Sequence, residues 1–139
     1  MHSYSTVPAT TGLWNSIHQI LRSFPIACFC LALATDIAYW QTANLLWLHF
    51  SEWLLLAGVS FGAIALVASL VDLLVRRVRP SWLAFLAGIV VLLLATFNNL
   101  VHTVDGWTAV VPYGLMLSAL TVLAMIVTGV LANLGARHD

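Results

Sequence analysis

His49 and His102 are the two side chains whose chemistry is easiest to name. Each stands three residues before an acid, Glu52 and Asp105 respectively. A histidine that ligates haem iron through one ring nitrogen needs an acceptor on the other nitrogen to fix its orientation. Two such units at similar depth on different helices would supply both axial ligands of a haem b. The same groups suit a quinone, with a His or Asp hydrogen-bonded to its carbonyl oxygen and Trp47, Trp53 and Trp107 covering the ring. The plainer reading is that His, Glu and Asp are simply solvated where lipid meets water, with the Trp as an aromatic belt. Asp36 and the Asn98-Asn99 pair form a second group, placed at the edge of the hydrocarbon. An acid there either carries protons or is hydrogen-bonded to an Asn as glue between helices, and the glue reading is favoured.

Other chemistries find little footing. The chain lacks a phosphate loop, a His-Glu-x-x-His pair and a nucleophile elbow, so it is expected to have no catalytic activity of its own. A channel or transporter would show broken helices or mid-membrane polar groups. Only Ser60, Ser118 and Thr121 lie near the middles of the second and fourth spans, and each can bond back along its helix. Cys28 and Cys30, two apart, point to different sides of a helix and read as two buried thiols, with no metal site. His18 and His138 fall in polar segments and read as solvated.

These residues need elements to hold them, and composition says which. Of 139 residues, 62% are hydrophobic and 7% charged, with mean hydropathy +1.00. A soluble domain carries about 25% charged residues to cover its outside. There is no Lys and the net charge is zero, so no basic face exists for nucleic acid. The chain reads as a single all-α transmembrane domain over residues 1–139, with a polar tail at 1–12. Leu13, Trp14, Ile17, Ile20 and Leu21 share one helical face, which predicts a short interfacial amphipathic helix over 13–22. Ser23-Phe24-Pro25 is expected to break it from the first span. Apolar runs of crossing length, about 20 residues, predict spans over 24–40, 52–75, 82–102 and 109–134. Gly58 and Gly62 form a Gly-x-x-x-Gly that Ala65 and Ser69 extend. Small residues at that spacing let helix backbones approach closely, within the bundle or in an oligomer.

Orientation follows from arginine. Arg76, Arg77 and Arg79 sit between the two middle spans, and Arg22 and Arg137 fall on the same side under a four-span bundle. Short Arg-rich loops stay cytoplasmic, which places both termini in the cytoplasm and connectors 41–51 and 103–108 on the opposite face. Asp72 reads as the partner of Arg76, four residues on.

The stretch from Asn98 through His102-Thr103-Val104-Asp105-Gly106-Trp107 to Pro112-Tyr113-Gly114-Leu115 resembles the bacterial membrane-protein family known as domain of unknown function 2231. Phe24-Pro25-Ile26-Ala27 and Thr35-Asp36-Ile37-Ala38-Tyr39-Trp40 resemble it too, and the similarity runs from about His18 to Gly129. It implies a four-helix bacterial inner-membrane protein whose relatives occur beside or fused to periplasmic sugar dehydrogenases and c-type cytochromes. The chain departs from the family in two places. His18 is followed by Gln19 where relatives carry His-Pro, and its end lacks their Gly-Gly and Tyr tail. The expected function is a membrane subunit or docking partner of a periplasmic electron-transfer protein, with Glu52, Asp105 and Trp107 on its outer contact face. The alternatives are a redox carrier of haem b or quinone, and a structural or assembly protein without cofactor.

Overall fold

The computed structural model describes residues 9–76, 82–104 and 110–135. It contains four long helices: α1 (Ala9–Thr42), α2 (Leu45–Val71), α3 (Trp82–Val104) and α4 (Leu115–Gly135). All four are long and apolar enough to cross a membrane. α1 packs on α2 and α4, and α3 packs on the same two neighbours. The result is a four-helix bundle in which α1 and α3 face each other across the diagonal.

α1 differs from its expected shape. The amphipathic segment 13–22 and the first span are one helix of 34 residues with Pro25 inside it. A proline ring normally costs an interior helix a hydrogen bond and kinks it. Lipid-spanning helices tolerate this where neighbours cover the site. Pro25 is buried, and a Cβ built on Gly62 of α2 would come 3.8 Å from its Cγ.

The first connector is also shorter than the expected 41–51, because α2 starts at Leu45. Ala43 takes a positive φ of 51° and its N–H bonds the Tyr39 carbonyl at 2.8 Å. Asn44 then caps α2, its side chain accepting from the Leu46 N–H at 3.0 Å. Two residues thus reverse the chain. At the far end α2 widens into a π-type turn, Asp72–Arg76. α4 is preceded by a kinked turn, Val110–Gly114, in which Val111 is extended (φ −119°, ψ 117°), as a residue before proline prefers. The regular helix therefore begins at Leu115, later than the expected 109.

The apolar centre is thin, as it must be when lipid covers the outside. Phe29, Ala32, Leu55, Val91 and Ala95 form the buried cluster, while Leu31, Leu56, Leu93 and Leu123 are exposed on the perimeter. The small stripe of α2 is used inside the bundle. A Cβ on Gly58 would lie 2.5 Å from Phe29 Cε1, and one on Gly62 would lie 2.5 Å from Leu92 Cδ2. Farther along that stripe, Ser69 bonds back to the Ala65 carbonyl at 2.9 Å and lies 3.5 Å from Arg22 Nη2. Of the two thiols, Cys28 is buried and Cys30 is exposed, contrary to the expectation that both are inside.

Candidate functional site

Just inside the end of the bundle that carries the α1–α2 connector, all four helices send polar side chains to one point. Asp36 comes from α1, Ser51 from α2, Asn98 and His102 from α3, and Ser118 from α4. Asp36, Ser51, Asn98 and His102 are 0% exposed and Ser118 is 2% exposed. Asp36 is six residues from the end of α1, about 9 Å along the axis. The apolar cluster around Phe29 and Ala32 begins one turn farther in.

The carboxylate is the hub. His102 Nε2 lies 2.9 Å from Asp36 Oδ1. Ser51 Oγ donates to the same oxygen, and Ser118 Oγ donates to Oδ2. Asn98 Nδ2 in turn donates to Ser118 Oγ at 2.7 Å. Ser51 Oγ is also 2.7 Å from Thr35 Oγ1 and 3.0 Å from the Ala32 carbonyl. One turn of α3 links Asn98 to His102, whose Nδ1 is 2.8 Å from the Asn98 backbone carbonyl. Asn98 Oδ1 is buried with no hydrogen-bond partner among the described residues.

Gly114, at the end of the kinked turn, shapes the last wall. A Cβ there would come 2.9 Å from His102 Cε1 and 3.4 Å from its Nδ1. The imidazole edge therefore rests where only a glycine leaves room. Held at both nitrogens and along this edge, the ring is fixed in place. Both serines donate to the carboxylate, so no hydroxyl is set against the imidazole to be activated as a nucleophile.

The expected site residues are redistributed by this geometry. His102 spends both ring nitrogens on Asp36 and Asn98, so it does not present a free nitrogen to a haem iron. His49 is on the outer side of α2, with its side chain 63% exposed and Nδ1 3.2 Å from Glu52 Oε2. The His49–Glu52 pairing matches the expected spacing. Asp36 and Asn98 share one network, bridged by Ser118, whereas half-buried Asn99 does not join it. Asp105, Trp107, Arg77 and Arg79 lie outside the described residues, as does His138. Trp47 and Trp53 are exposed on α2, and Leu46, His49, Phe50 and Trp53 line a shallow groove on that helix. No group of three or more His, Cys, Asp or Glu fit to hold a metal occurs among the described residues.

Two roles went unread in the sequence. Ser118 does not bond back along α4; Thr121 does, to the Leu117 carbonyl at 2.7 Å, and so does Ser60 on α2. His18 is buried rather than solvated, with Nε2 3.4 Å from Asp72 Oδ2 at the opposite end of the bundle. The signal is one of depth: Asp36, Ser51 and Asn98 each stand six residues from the connector end of their helix, and Ser118 stands three residues into α4.

Known proteins add a family and nothing finer. No curated protein and no solved structure matches the chain. The family model described as "Predicted membrane protein (DUF2231)" matches residues 15–138, nearly the whole length, and the chain belongs to that family.

Proposed function

We propose that this protein is a small, non-catalytic subunit of a bacterial inner membrane, with both termini cytoplasmic, that docks a periplasmic electron-transfer dehydrogenase or cytochrome. The observation that carries this reading is the division of polar groups at the connector end. Asp36, Ser51, Asn98, His102 and Ser118 are turned inward and bonded to one another, which suits a scaffold. His49 and Trp53 stay on the outside of α2 and Glu52 is half-buried beside them, next to a connector of two residues. Glu52 and Trp53, together with Asp105 and Trp107 of the second connector, supply the charged and aromatic groups of a contact face.

The orientation draws support from Arg22 and Arg76, which fall at the end opposite the connectors. Crosslinking in membranes, followed by purification of the tagged chain, tests the docking. The expected result is a periplasmic redox protein recovered with the native chain and lost on combined Glu52→Ala and Trp107→Ala substitution. Equal recovery from both would reject this face.

A quinone is the second reading, favoured by one observation: the groove of Leu46, His49, Phe50 and Trp53 sets an imidazole beside two aromatic rings. Quenching of Trp53 fluorescence by an added ubiquinone analogue, absent in Trp53→Leu, tests it.

A further inference from the structure

Hydrogens can be counted around His102. Its Nδ1 faces a backbone carbonyl oxygen at 2.8 Å, and a carbonyl only accepts, so Nδ1 carries a hydrogen. Nε2 faces a carboxyl oxygen at 2.9 Å. Two bare acceptors do not sit at that distance, so a second hydrogen lies between them. It belongs either to the carboxylic acid, as O–H···N, or to the imidazolium, as N–H···O. Both forms satisfy every other bond in the network, since Ser51 and Ser118 donate to either. Both are also net neutral. Losing the shared hydrogen would leave a lone negative charge at 0% exposure, and gaining another would leave a lone positive one, each costly in a medium of low dielectric.

We infer that the Asp36–His102 pair is a binding site for one proton, filled from the aqueous side at the connector end as the four helices assemble. The reaction is balanced simply: a carboxylate, a neutral imidazole and one proton from water give the neutral, proton-sharing pair. The site is one-sided. Asp36 lies six residues, and His102 two, from the connector ends of their helices, about 9 and 3 Å along the axis. Inward, the buried cluster of Phe29, Ala32, Leu55, Val91 and Ala95 is apolar, and among the described residues no Asp, Glu or His lies between it and the His18–Asp72 pair at the far end, so the pair stores a proton and does not conduct it across. The other titratable groups near it are Tyr39 on α1 and His49 and Glu52 on α2; the described part of α4 that packs on it has none. This inference does not depend on the docking reading.

The sign of the linkage follows. Near pH 8 a separated Asp is ionised and a separated His is neutral, so the dissociated chain binds no proton here and the folded bundle binds one. Folding then weakens as pH rises, about tenfold in its equilibrium constant per pH unit above the ordinary His range. Asp36→Asn removes the titration while keeping the bonds. Its amide N–H donates to Nε2, its carbonyl accepts from Ser118, and Ser51 turns to the Ala32 carbonyl 3.0 Å away.

The test is unfolding of the full chain by SDS in mixed micelles between about pH 7 and about pH 9, with Asp36→Asn alongside. The native chain is expected to lose about tenfold more per pH unit than the variant; equal slopes overturn the site. Histidine-selective ¹⁵N NMR of the native chain decides independently, even if the variant does not fold. Protonated Nδ1 with a proton shared at Nε2 sustains the inference. A neutral His102 beside an ionised Asp36 in the folded bundle sinks it.

Discussion

His102 and Asp36 meet across the diagonal of the bundle, 66 positions apart in the chain, with Nε2 and Oδ1 separated by 2.9 Å. Because α1 and α3 are not packed neighbours, this hydrogen bond ties opposite corners together and the two serines tie in the remaining helices. Removing one partner of a buried, paired charge costs about 3–5 kcal/mol, whereas single side-chain hydrogen bonds between membrane helices average about 0.6 kcal/mol and reach about 1.7. His102→Ala is therefore expected to destabilise the bundle more than either Ser118→Ala or Ser51→Ala. SDS titration of the three variants gives the ranking; a serine variant as damaging as His102→Ala would mean the carboxylate does not rely on the imidazole.

The glycines of α2 allow a sharper steric test. A Cβ at Gly58 would stand 2.5 Å from Phe29 Cε1 and 3.1 Å from Cys28 Cβ, while one at Gly88 of α3 meets nothing within 4 Å. Overpacking a filled core costs about 1–3 kcal/mol, and replacing an open helical glycine by alanine gains about 0.5–1 kcal/mol. Gly58→Ala should lower the SDS midpoint and Gly88→Ala should raise it. If Gly58→Ala leaves the midpoint unchanged, the stripe does not pack against α1.

Much of this architecture is legible in the sequence, and the illegible part has a common cause. Span number follows from hydropathy because lipid imposes a length on every crossing segment. Boundaries are less visible: Gln41 to Ser51 contains enough His, Ser and Gln to resemble a loop, but α2 absorbs most of it. Only the cap at Asn44 gives the true start away. Asp36 and Asn98 stand out as polar residues in apolar runs, yet their partners do not. Ser51 and Ser118 are small enough to satisfy themselves on any helix, and their role depends on which helices are neighbours. His102 stands out as an ionisable group near the end of an apolar run, but its spacing points to Asp105, three residues on, whereas its partner Asp36 lies on a different helix.

Gly114 is expected to matter chiefly through His102, the nearest of its neighbours; Val110 Cγ1 would stand 3.4 Å from an added Cβ. A Cβ there would come 2.9 Å from Cε1 of a ring pinned at both nitrogens, so the ring cannot yield without breaking a bond. Gly114→Ala should cost about 1–3 kcal/mol in the native chain and far less when His102 is already Ala. A double-mutant cycle measures that coupling. Additive losses would place the strain in the kinked turn itself.

Orientation can be checked with the two ends of α1 and α2. Short Arg-rich loops resist translocation, so the segment that carries Arg76, Arg77 and Arg79 should remain cytoplasmic and the connector at Ala43-Asn44 should face outward. Gln41, exposed at the end of α1, can carry a reporter cysteine once Cys28 and Cys30 are replaced by Ala. In intact spheroplasts a membrane-impermeant maleimide should label Gln41→Cys and should not label Ser81→Cys in the Arg segment. A green fluorescent protein at the C-terminus should fluoresce, since it matures only in the cytoplasm. Replacing all three arginines by Gln removes most of the charge that fixes the direction and should produce a mixed population, with both cysteines labelled in part. Labelling confined to Ser81→Cys in the native background would invert the topology, and the outer face of α2 would then look into the cytoplasm.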